Sequence, residues 1–165
     1  MTQYRHKYNR MKLSIELVPA SSWYDNVRSN VSVATWARIQ RQTADQAGHR
    51  CEICGRQGVR HPVEAHEVWA YDDAGGVQRL LRLIALCPDC HGVKHFGRAL
   101  AQGTQRRLLA WFAYVNGLTA GEALLAIKAA FGVHKQRSSR VWTLDLSVLE
   151  LRYGIRLDAR GIETT

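Results

Sequence analysis

Two Cys-x2-Cys pairs, Cys51 with Cys54 and Cys87 with Cys90, account for every cysteine in the chain, with 32 residues between the pairs. This spacing makes a poor structural disulfide but places two thiolates well for a tetrahedral zinc ion. If both pairs grip one ion, the intervening residues form a loop pinned at its base, and Cys87 and Cys90 fix the start of whatever follows. The other reading is dithiol redox chemistry. The basic opening MTQYRHKYNRMK is not followed by an apolar signal core, so reduced thiols and a cytoplasmic location are expected. The longest apolar runs, such as residues 83–86, are far too short to span a membrane.

The pinned segment reads as a β-hairpin. HPVEAHEVWAY (residues 61–71) is rich in strand formers, DDAGG makes a turn, and VQRLLRLIAL (77–86) forms a second strand. CHGVKHFGRALAQG then reads as a helix stopping near Gly103. His91 and His95 stand four apart on it, so both imidazoles share a face and can point at one ion. The plainer alternative is that either histidine merely supports the cysteine turn.

The flanks extend this centre. KLSIELVP (12–19) alternates like a short strand closed by proline. Residues 32–48 read as a helix with Ser32 as N-cap and Gly48 as its stop, with Trp36 and Ile39 turned inward. Leu108, Leu109, Trp111, Phe112 and Val115 form the stripe of one helix, ended by Asn116-Gly117. Thr119 to Glu122 is a capping box for another, with Leu124, Ile127, Ala130 and Phe131 turned inward. DLSVLELRYG reads as a short last helix stopped by Gly154. The helix pair joined through VNGLT suggests a DNA-reading pair or ordinary core packing. The expected class is α+β: an extension over 1–50, a metal core over 51–103 and a helical part over 104–165, in one compact unit.

CEICG, VEAHEVW and LCPDCHGVKH, in this order, resemble the HNH endonucleases, the ββα-metal nucleases with a four-cysteine zinc staple. The resemblance covers residues 51–95, about a quarter of the chain. It implies a metal-dependent endonuclease that hydrolyses DNA phosphodiester bonds, by nicking or double-strand cleavage. It also implies a structural Zn2+ on Cys51, Cys54, Cys87 and Cys90, and a second divalent cation, Mg2+, Mn2+, Ni2+ or Zn2+. By the same resemblance His66, His91 and His95 are ligands of that second ion, and Glu67 stands where the general-base histidine usually is. A register shifted by one makes His66 the base and leaves Ala65 at the ligand position. Neighbours on a regular strand face opposite sides, so His66 and Glu67 reach one phosphate only if the strand bends or ends there.

The charge fits such a partner. Lys and Arg number 23 against 14 Asp and Glu, a formal +9, and arginine supplies 18 of the cations. The guanidinium fork matches phosphate well, so a polyanion such as DNA is the expected partner, with an evenly spread basic surface as the alternative. Arg82, Lys94, Arg98, Arg106 and Arg107 are the candidate backbone contacts. The rival function is a zinc-stapled nucleic-acid-binding module with a degenerate, inactive site.

Overall fold

The computed structural model describes residues 11–57 and 62–164, so all but Met11 and Lys12 of the basic opening, and His61, lie outside the described residues. Seven α-helices and three strands are found among them, an α+β arrangement. In chain order these are α1 (Val27–Asn30), α2 (Val33–Gln46), β1 (Glu64–Asp72), β2 (Val77–Leu86), α3 (Pro88–Lys94), α4 (Phe96–Ala101), α5 (Gln105–Asn116), α6 (Ala120–Arg137), β3 (Thr143–Asp145) and α7 (Ser147–Tyr153). Among the described residues no single helix is long and apolar enough to cross a membrane.

The hairpin is the axis. β1 and β2 pair antiparallel from Glu64 opposite Leu86 to Asp72 opposite Val77. The Asp72 side chain accepts from the Ala74 and Gly75 N–H groups and closes the turn. β3 adds parallel to β2 and was not foreseen, being only three residues long. The register slips between Val68 and Trp69, which makes Leu81 the extra residue of a bulge and leaves it exposed.

Both faces of the hairpin are covered, and alternation sorts its residues between them. Ile84, Leu86 and Val68 join Leu13, Val93, Phe96, Leu108 and Phe112 in one core. Leu80, Leu83, Ala65 and Trp69 join Val27, Ile39, Leu146 and Leu149 in the other. The first core draws on residues from all three expected segments of the chain, from Leu13 through Cys51 and Ile84 to Ala126.

The expected helix ends are found where capping chemistry supports them. Ser32 accepts from the Thr35 N–H, Thr119 and Glu122 form a reciprocal box, and Gly117 and Gly154 are left-handed caps. Trp36 packs against the second core, as its spacing implied.

Three expectations need correction. Residues 12–19 form no strand: Leu13 and Ile15 are buried alternately, but the segment is a strap without a partner strand. Leu13 instead exchanges two hydrogen bonds with the Asn116 amide, and the Glu16 N–H donates to the Lys94 carbonyl at 3.0 Å. The helix expected from Cys90 begins earlier, with Pro88 at its first position, and breaks at His95 into α3 and α4. On α6 the buried stripe is Ala123, Ala126 and Ala130, while Leu124 is exposed.

Candidate metal centre

The first cysteine pair sits in a tight turn. Gly55, in the left-handed region at φ 74°, donates to the Cys51 carbonyl, and the Cys51 N–H donates to the Arg56 carbonyl. The second pair sits at the start of α3, with Cys87 as N-cap and Cys90 in the first turn. Glu52 binds the turn to β2: its N–H donates to the Ala85 carbonyl, and its carboxylate accepts from the Ala85 N–H and Arg82. Close approach of α5 to α3 is allowed by Gly92, where a Cβ would stand 2.9 Å from Leu108 Cδ1.

These supports bring all four sulfurs within 4.8 Å of one another. Hydrogen bonds from Cys87 and Cys90 pull the Cys51 thiol far below its ordinary value. The reciprocal interaction with Cys51 pushes Cys90 far up and Cys87 up to about 11. Four thiolates this close repel one another. A dication removes that obstacle, and four converging sulfurs fit zinc. The Trp111 indole N–H donates to Cys90 Sγ at 3.3 Å, a contact that supports a thiolate.

One residue further along α3 a second cluster begins. Single nitrogens of His66, His91 and His95 lie within 4.8 Å of one another. The i, i+4 pair meets Nε2 to Nε2 at 3.1 Å, and His66 packs edge-on against both rings, with centroids 5.3 and 4.9 Å away. Burial lowers the His66 value, with Glu16 opposing and the neighbouring charges of His91 and Lys94 adding to it. Burial and the charges of His66 and His91 bring His95 down to about 3. These two rings are neutral near pH 7 and keep a lone pair for a metal. The donor set fits a divalent ion.

Two carboxylates attend this cluster, and neither had been assigned a role. Glu64 Oε2 lies 2.5 Å from His91 Nδ1. Glu16 Oε2 lies 3.2 Å from His66 Nε2, and its other oxygen bonds Lys94. Burial opposes the Glu16 charge, but the His66 hydrogen bond and the Lys94 charge outweigh it and hold the carboxyl at about 2. Strand alternation could have flagged Glu64, which stands two residues before His66 on the same face. Nothing in the local pattern pointed to Glu16, fifty residues upstream.

Glu67 requires correction as a member of this site. It lies on the opposite face of β1 with Ala65 and Trp69, and its carboxylate accepts from the Val27 N–H at 2.8 Å. The bulge falls after Val68, too late to turn Glu67 back towards His66. Lys94 also requires correction as a backbone-contacting cation. Its side chain is only 5% exposed and is committed to Ser14 and Glu16.

Arg82 and Arg107 are exposed but ion-paired, Arg82 with Glu52 at 2.7 Å and Arg107 with Asp89. Arg98 and Arg106 are exposed on α4 and α5. Beside His66, along the same hairpin face, a cavity of about 470 Å³ is lined by Lys12, Glu16, Glu52, Val68 and Arg82 among others. No family model, curated protein or solved structure matches the chain significantly.

Proposed function

We propose that this chain is a metal-dependent DNA endonuclease of the HNH type, hydrolysing phosphodiester bonds at the three-histidine cluster. The observation that carries the reading is the convergence of His66, His91 and His95 beside a hairpin and helix joined by four cysteines. A closed four-sulfur site has no open position and serves to hold the fold, whereas three imidazoles leave positions for water and substrate. The hairpin followed by α3 agrees in order and pairing with a ββα-metal core.

A divalent ion on the histidines would supply charge to stabilise the phosphoryl transition state and would acidify an attacking water. The chain's own groups do the rest. Glu64 orients His91 through Nδ1 and, with its side chain half exposed, is the carboxylate at the site's rim placed to take a proton. Arg98 and Arg106 offer exposed guanidinium groups to the DNA backbone. An all-imidazole donor set suits Zn2+ or Ni2+ better than Mg2+, which favours oxygen ligands. A four-cysteine zinc site needs reduced thiols, which suit a reducing, cytoplasmic setting.

One observation favours the second reading, a zinc-stapled nucleic-acid-binding module without chemistry. The residue at the family's base position, Glu67, is bonded to Val27 on the far face. Supercoiled plasmid incubated with Mg2+, Mn2+, Ni2+ or Zn2+ decides between them. Nicking by the parent and not by His91→Ala is the result expected of the endonuclease. DNA binding without nicking in any metal leaves the binding module.

A further inference from the structure

We infer that Glu16, in the strap ahead of α1, is the positioning residue of the histidine site, holding His66 from outside the ligand set. This rests on the reading of His66, His91 and His95 as a metal site. The motivation is a cluster of ionisable groups that packing alone does not explain. His66 is 4% exposed, and its Nε2 meets Glu16 Oε2 at 3.2 Å. Lys94, equally buried, puts its ammonium on the other carboxylate oxygen and 2.9 Å from Ser14 Oγ. Setting a buried ammonium against a half-buried carboxylate brings little net stability, because the desolvation cost offsets their attraction. An apolar pair would pack the same space without that cost.

The arrangement instead fixes a carboxylate at one atom. The Glu16 N–H to Lys94 carbonyl bond sets the backbone, and the double bond between Leu13 and the Asn116 amide anchors the strap upstream. Lys94 and the Ser14 hydroxyl both bond Glu16 Oε1, which leaves Oε2 facing His66. A carboxylate on one ring nitrogen selects the tautomer that leaves the other nitrogen unprotonated, and it makes that nitrogen a better donor. Glu64 does the same for His91. Glu16 differs in coming from a segment far from the cysteine and histidine motifs, so the site is incomplete without the strap.

The test is Co2+ titration of full-length protein with zinc already in the cysteine cluster, followed by visible absorption, comparing the parent with Glu16→Ala. A positioning role predicts affinity lower by about 10- to 100-fold, an unchanged spectrum at saturation and unchanged zinc content. Equal affinity would overturn it. A spectrum altered at saturation would also overturn it, by making Glu16 a ligand. If Glu16→Ala does not fold, Glu16→Gln, which keeps the volume and an acceptor oxygen, is titrated instead and must show a smaller loss with the same spectrum. Plasmid cleavage is scored separately. A parent that binds Co2+ with this Glu16 dependence and never nicks DNA refutes the nuclease reading and leaves the role of Glu16 standing.

Discussion

His91 Nε2 and His95 Nε2 lie 3.1 Å apart across the last turn of α3, where the helix breaks at His95. Two imidazoles meeting through these atoms can satisfy each other only if one is a donor, and a cation between all three rings would replace that contact. Removing either ring should therefore empty the second site and spare the first. His91→Ala and His95→Ala are each expected to retain zinc, lose the second divalent ion and lose plasmid nicking. Metal analysis showing both ions still bound to either variant would refute the assignment.

The cysteine cluster should behave differently, because it joins the first turn, β2 and α3. Cys87→Ser removes a sulfur at the helix N-cap, and zinc binding of this kind is coupled to folding. The variant is expected to lose zinc and the hydrogen-exchange protection of β1, β2 and α3 together. A chelator strong enough to strip the parent should reproduce the effect. A zinc-free parent with an intact fold would refute this.

The basic residues separate into two groups with different expected effects. Arg106→Ala should weaken DNA binding about equally for all sequences and reduce the salt slope by about one ion. Lys94→Ala should act on the strap, and hence on metal affinity, while leaving the salt slope alone. Identical slopes for the parent and Arg106→Ala would remove α5 from the DNA footprint.

Local chemistry made much of this legible in the sequence. The two cysteine pairs, the Asp72 turn, the Ser32 and Thr119 caps and the i, i+4 histidines each depend on residues a few positions apart. What was missed depends on contacts across the fold. Residues 12–19 alternate like a strand, but their partners are the Asn116 side chain and the Lys94 carbonyl. Lys94 looked like a surface cation because the half-buried carboxylate that neutralises it lies 78 residues away. Alternation had already raised the difficulty with Glu67, and the position of the bulge resolves it: β1 stays regular through Val68.

That placement has a consequence for pH. Burial raises the Glu67 carboxyl to about 7, against the lowering effect of the Val27 N–H and the Trp69 side chain. An ordinary glutamate in the unfolded chain titrates near 4.5. Between those values the folded state keeps a proton that the unfolded state has released. The stability contributed by the neutral carboxyl is therefore fully present below about 4.5 and is lost as pH rises through about 7. Glu67→Gln keeps an acceptor for Val27 and cannot ionise. It should match the parent at pH 4 and melt several degrees higher at pH 8, the equivalent of about 1–3 kcal/mol. It should also retain most cleavage, because its carboxyl faces away from the histidines. A loss of about 10²- to 10⁴-fold, as expected for removal of a general base, with no change in the pH dependence of melting, would show that Glu67 works at the metal after all.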